Sequence, residues 1–267
     1  MEKQTSQWLI PVLLAAGAAG ALWFYWNATY SPAPEPVAAP APVVEEPQAM
    51  LEPLHPMAEP DMGTADRPEL KSLPPLDQSD DYLKLALADL FGDSIEDMLV
   101  ASGMIERIVA TVDNLPRAHV AERIRPLSRP GGRFVVDGQD GSGEFTINSS
   151  NYDRYEALVE LMAGAQLGEV ADVYRRFYPL FQSAYVDLGY PNGYFNDRLV
   201  EVIDHLLATP EIDDPVPLTR PHVLYEFADP ELESLSSGQK LLLRMGAEHR
   251  SRVKRMLGEF RDIATRM

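Results

Sequence analysis

The sequence predicts a mainly α-helical domain with one small β-hairpin, preceded by a transmembrane helix and a disordered tether. Three observations predict it: a charge-free run near the N-terminus, a proline-rich acidic stretch behind it, and apolar residues at helical spacing through most of the remainder. The chain then divides into residues 1–26, with the span at 8–26, a tether at 27–75, and a helical domain at 76–267.

The run WLIPVLLAAGAAGALWFYW (8–26) holds no charged side chain. As a helix it would span roughly 28 Å, close to the hydrocarbon thickness of a bilayer. Trp8 at one end and Trp23, Tyr25 and Trp26 at the other suit the two interfaces. Pro11 falls in the first turn, where its missing N–H costs little. A cleaved signal peptide, with Ala19 and Ala21 before the cut, is the competing reading. The barely basic start and the bulky aromatics after that site weigh against it. The chain has no Cys, which excludes a lipidated cysteine and structural disulfides. Lys3 precedes the span and no Lys or Arg follows until Arg67. The positive-inside rule therefore expects a single-pass protein of a bacterial inner membrane, its N-terminus cytoplasmic and its C-terminal domain periplasmic. The lipid bilayer, met through residues 8–26, is the first expected partner.

Residues 27–75 contain 12 Pro, with eight acids against two bases. Such a segment buries too little apolar surface to offset the entropy of ordering it, so a disordered, partly polyproline II tether is expected. Fully extended it would reach about 150 Å at ~3.1 Å per residue. No P-x-x-P in it is flanked by Arg, which favours a spacer over an SH3-type ligand.

From Leu76 the pattern becomes periodic. Asp80 is expected to cap a helix carrying Leu83, Leu87 and Leu90 that stops near Gly92. Ile95, Leu99, Ile105, Ile108, Val109 and Val112 continue at helical spacing until Pro116, Pro126 and Pro130 interrupt it. RFVVDGQDGSGEFTINSS reads as the hairpin, with Phe134–Val136 and Phe145–Ile147 as its strands. Its Gly/Asp loop lacks the calcium-loop spacing, so a solvated turn is expected. Helices return after Ser150, one with Leu158, Leu161 and Met162. A longer one runs from Val170 to Leu188, which Pro179 should bend or split. Pro191-Asn192-Gly193 is a turn, and Leu199, Val202, Ile203, Leu206 and Leu207 form the next buried stripe. Residues 209–230 read as a Pro-broken loop before a final helical pair.

Two short strings invite a catalytic reading. LSSGQ (235–239) is one letter from an ABC-type ATPase signature, but none of the 17 Gly is followed by Lys, so no phosphate-cradling loop accompanies it. Ser237 and Lys240 fit the S-x-x-K of penicillin-binding serine enzymes. Ser149-Ser150-Asn151 precedes that pair instead of following it, however, and no K-T-G exists. The corner ESLSSGQKLLLRMG is therefore expected to be structural. Ser236 or Ser237 caps a helix, Leu241, Leu242 and Met245 enter the core, and Lys240 decorates the exposed face. His119, His205, His222 and His249 show no metal-ligand spacing. No catalytic, cofactor-binding or metal residue is assigned, and no cofactor is expected.

VDNLPR (112–117), NYDRY (151–155), LGYPNGYFNDRLVEVIDHLLATPE (188–211) and YEFADPELESLSSGQKLLLRMG (225–246), in this order, resemble the bacterial domain-of-unknown-function family 3014. The resemblance covers residues 80–266 and implies a proteobacterial envelope location. It carries over no activity, catalytic residue or ligand. Charge is uneven: residues 76–239 carry a net −17 and residues 240–267 carry +5. The acidic body disfavours nucleic acid and anionic lipid. The basic helix with Arg250, Arg252, Lys254, Arg255, Arg261 and Arg266 either docks on that body, the preferred reading, or stays exposed for an anionic partner. A tethered interaction or scaffold module, binding another envelope protein or the cell wall, is the leading functional expectation. An envelope hydrolase with an unrecognised active site is the alternative.

Overall fold

The computed structural model describes residues 52–57, 73–138 and 143–267, and everything below concerns these. The expected span at 8–26 and the remaining tether residues lie outside them. Among the described residues no helix is long and apolar enough to cross a membrane.

The helical elements are α1 (Asp80–Phe91), α2 (Met104–Asn114), α3 (Asp153–Gly164), α4 (Leu167–Asp187), α5 (Phe195–Leu207), α6 (Pro230–Glu233), α7 (Ser237–Arg244) and α8 (Ala247–Ala264). α4 is the axis of the main core. Its Tyr174, Phe177, Leu180, Phe181, Ala184 and Tyr185 pack with Leu83 and Ala86 of α1, Met104, Ile105 and Val109 of α2, and Phe195 of α5. Pro179 does not split α4. It lies on the exposed face, while Phe177 and Leu180 beside it are buried, so packing outweighs the one backbone bond that proline removes. A second cluster joins Val159, Val202, Leu206, Leu242, Met245 and Val253, uniting α3, α5, α7 and α8.

Helix ends follow local chemistry, with one displacement. α1 stops at Gly92, whose φ of 80° suits glycine. Asp80 does not cap its own helix; Ser79 is the N-cap residue. The Asp80 carboxylate instead accepts the Gly103 and Met104 amides, each at 2.8 Å, and so closes the start of α2.

The expected single hairpin is part of a larger sheet. Four strands, β1 (Val136–Gly138), β2 (Phe145–Ile147), β3 (Pro217–Thr219) and β4 (Glu226–Phe227), pair antiparallel in that order. The first strand starts at Val136, and Phe134 and Val135 are exposed ahead of it. The segment read as a loop over 209–230 supplies β3 and β4. Two or three residues per strand give too little alternation to register, and Pro217 argues against a strand by itself. What holds so short a sheet is burial: Phe145, Ile147, Val216, Leu218 and Phe227 close over Leu243 of α7.

The 235–246 corner is structural, as expected, with two corrections. Leu242 and Met245 are buried, but Leu241 is 39% exposed. Lys240 is buried rather than on the exposed face. Its Nζ donates to Glu233 Oε1 at 2.7 Å and to the Glu233 carbonyl at 3.0 Å. Thermal melts should therefore rank three alanine variants. Leu242→Ala should lose ~2–5 kcal/mol through its cavity. Lys240→Ala should lose about 1–3 kcal/mol, because Glu233 is left without its cation. Leu241→Ala should stay within roughly 0.5 kcal/mol. A harmless Lys240→Ala would contradict this placement.

Candidate functional site

The two serines of LSSGQ are engaged in folding. Ser236 is the N-cap of α7 and makes a capping box, its Oγ accepting the Gln239 amide while Gln239 Oε1 accepts the Ser236 amide. Ser237 Oγ donates to the Leu115 carbonyl at 3.3 Å, and the Ser237 and Gly238 amides donate to the carbonyls of Arg117 and Leu115. With Ser237 turned to Leu115 and Lys240 to Glu233, the S-x-x-K residues form no nucleophile–base pair. A Cβ on Gly238 would sit 2.6 Å from Leu206 Cδ2 and 3.1 Å from the Leu115 oxygen, so α7 and the end of α2 meet there only through glycine.

A different pairing, invisible in the motifs, is made across the fold. Ser236 Oγ lies 2.9 Å from His205 Nε2. The oxygen is part of a 7%-exposed residue and already accepts an amide. Asp204, adjacent in sequence, faces Arg261 instead. The pair is two of the three members of a hydrolytic triad in composition and a helix cap in geometry.

The basic helix docks, as preferred. Arg250, 1% exposed, donates from Nε to Glu211 Oε2 (3.1 Å) and from Nη2 to the Ile212 carbonyl (2.5 Å). Lys254 bonds the other oxygen of Glu211 and the Thr209 carbonyl. Arg252 meets Glu160, and Arg261 meets Asp204. Beside them, Asp214 accepts the Tyr152 hydroxyl (2.7 Å) and the Ala247 amide (2.9 Å), closing the start of α8. Burial first, and then this hydrogen bond, push the Tyr152 hydroxyl well above its ordinary value. These are structural ties.

A third assembly points outward. Within the stretch read as tether, residues 52–57 (EPLHPM) are seated on the domain instead of lying free. The Asp197 carboxylate accepts the Leu54 amide at 3.0 Å and the His55 amide at 2.7 Å. Asn196 Nδ2 donates to the His55 carbonyl at 2.9 Å, and Met57 packs on the main core. Pro53 and Pro56 carry no N–H, so both donors of the P-L-H-P unit end on one carboxylate. No Arg flanks this P-x-x-P, which tells against an SH3-type ligand; its signal is that two prolines bracket two amides free to donate. Asn196, 0% exposed, also donates to the Ala264 carbonyl (3.0 Å) and accepts the Tyr174 hydroxyl (3.1 Å). Two positions on, Arg198 bonds the buried Asp113 carboxylate through Nε and the Asp113 carbonyl through Nη2. Asp113 also holds Arg117 and Tyr190.

The remaining hollows carry little chemistry. An apolar cleft of about 220 Å³ lies among Leu83, Leu87, Val112, Val173, Phe181 and Phe260. A wider one lines the β1–β2 hairpin near Asp137 and Glu144. Among the described residues no group of three or more His, Cys, Asp or Glu side chains could hold a metal ion.

Docking of α8 has a pH signature. The Lys254 hydrogen bond, then that of Arg250, outweigh burial and hold the Glu211 carboxyl below its ordinary value of 4.5. A depressed folded pKa stabilises above the unfolded value and stops doing so as pH falls through the lowered folded value. The melting temperature of wild type should therefore fall more steeply below about pH 4.5 than that of Glu211→Gln. Parallel curves would contradict the role given to Glu211.

The strings quoted from the sequence thus fall on the ties just described: Asp113 and Arg117 in the first, Tyr152 in the second, Asn196 to Arg198 and His205 in the third, Ser236 to Lys240 in the fourth. The model of a family described as a protein of unknown function (DUF3014) matches residues 104–261, more than half of the chain. No curated protein and no solved structure gives a match. The extent of the family match settles the kinship: the chain belongs to the DUF3014 family.

Proposed function

We propose that this protein is a single-pass, membrane-anchored component of the bacterial cell envelope whose periplasmic domain binds another envelope protein. The charge-free span, the Pro-rich segment and the lone Lys3 support the placement. The observation that carries the binding role is an apolar edge on an otherwise acidic domain. The turn between β3 and β4 presents Val223 at 86% and Leu224 at 74% exposure. Phe134 and Val135 are exposed nearby, with the Phe134 ring 6.3 Å from Tyr225. Contiguous exposed apolar side chains next to aromatics, on a body that repels anionic surfaces, fit a protein partner better than lipid or nucleic acid.

Val223→Asp with Leu224→Asp leaves the core untouched and should keep the melting temperature. It should also abolish an in vivo crosslink, through a photoreactive residue at His222, to the partner that wild type captures. The same crosslinked species from both proteins would contradict the role of this edge. A reporter active only in the periplasm, fused after Met267, should be active; activity only of a cytoplasmic reporter would overturn the placement.

The hydrolase reading keeps one specific support, the Ser236–His205 pair. It predicts fluorophosphonate labelling of Ser236 that His205→Ala abolishes. The capping reading predicts no labelling and ~1 kcal/mol lost on Ser236→Ala.

A further inference from the structure

The seat of residues 52–57 combines features that differ from ordinary chain packing. Its hold is polar and mostly backbone-directed, so it recognises a main chain bent at Leu54 and His55, whose consecutive amides converge on one carboxylate. Leu54, in the middle, is 80% exposed and contributes no apolar anchor. Met57 alone enters the main core, and only partly. The prolines preset the conformation: each fixes its own φ, and each disfavours helix at the residue before it, Glu52 and His55. With fewer conformations open to it, the chain loses less entropy on seating. Asn196 and the backbone that carries Asp197 are fixed independently of it. Asn196 is held by Tyr174 and by the end of α8, and the first turn of α5 is held by Gln182, whose Oε1 accepts the Phe195 amide at 2.8 Å. A preorganised catch thus meets a preorganised strap through a handful of polar bonds at the surface. Ordering six residues offsets much of what such bonds contribute, so the seated strap is favoured over the free one by only a small margin, roughly 5- to 150-fold in population or of the order of 1–3 kcal/mol.

From this we infer that residues 52–57 are a releasable latch, with Asp197 and Asn196 as its catch. Its state sets how far the domain can stand from its anchor. Only residues 58–72 separate the latch from the domain, a connection short enough to keep strap and catch at high effective concentration, so a weak local affinity suffices to close it. When it is seated, residues 27–51 alone bridge from the span to the latch, and at ~3.1 Å per residue they reach at most about 78 Å. When it is released, the bridge is residues 27–75 and the limit rises to about 150 Å. The change of reach rests on the anchored, tethered reading above; the latch itself rests only on the contacts of the domain.

Hydrogen exchange of the Leu54 and His55 amides in the full chain, held in detergent micelles, tests the latch without reference to topology. Wild type should show protection at both amides. Asp197→Ala should lose it at least tenfold, with amides of α4 unchanged. Pro53→Ala with Pro56→Ala should act in the same direction, and these substitutions lie in the strap, where they cannot disturb the domain core. Because the chain has no Cys, two dyes can be placed through Ala41→Cys and Glu248→Cys. Energy transfer between them should fall in Asp197→Ala. Wild-type amides exchanging as fast as those of a free peptide would overturn the latch. Protection that vanishes on dilution would also overturn it, since the strap would then be exchanged between two copies. Unchanged energy transfer despite lost protection would overturn the effect on reach. A cytoplasmic reporter result would remove the membrane consequence and leave the exchange result standing.

Discussion

The amide of Asn196 is the constraint on which the described structure depends. A side chain with 0% exposure can be tolerated only if its polar atoms find partners, because an orphaned buried amide costs several times what a satisfied one contributes. Here Nδ2 serves the carbonyls of Ala264 and His55, and Oδ1 takes the Tyr174 hydroxyl. One side chain therefore joins α5 to the middle of α4, the end of α8 and the strap. Asp197 and Arg198 extend the same turn to the strap amides and to buried Asp113 on α2. Three successive residues thus fix four other parts of the fold, which apolar packing alone would leave free to slide.

Charge supplies the second organising force. A net −17 over residues 76–239 would push the body apart if nothing opposed it. The C-terminal helix opposes it locally: Arg252 meets Glu160 of α3, Arg261 meets Asp204 of α5, and Arg250 and Lys254 share Glu211 just beyond α5. Exposed pairs of this kind contribute little singly. Arg250 differs, since its guanidinium is buried and bonds both a carboxylate and a carbonyl, so it positions α8 against the 209–217 segment that leads into β3.

Much of this was legible where the determinants are local. The helix stop at Gly92 and the cap at Ser236 or Ser237, which the structure gives to Ser236, could be read because their signals lie within one helical turn. The docking of α8 could be read because opposite net charges on one chain meet. Asp80 could not, since the amides it binds lie 23 and 24 residues away. Strands β3 and β4 could not, because two or three residues hold no period and their support comes from Leu243 on a later helix. Burial of Lys240 was hidden because its partner Glu233 sits on a short helix that the sequence does not announce. The strap was the deepest miss. Composition marks a segment too polar and Pro-rich to fold by itself, but the seat of residues 52–57 depends on Asn196 and Asp197, more than 140 residues away.

Asn196→Asp tests the central claim most directly, because it preserves shape and replaces the donating amine with an oxygen facing two carbonyls. Denaturant unfolding at unchanged m should show a loss of ~2–4 kcal/mol, together with faster hydrogen exchange at the end of α8 and at Leu54 and His55. A midpoint shifted by less than about 0.5 kcal/mol, with α8 and strap protection intact, would contradict the account.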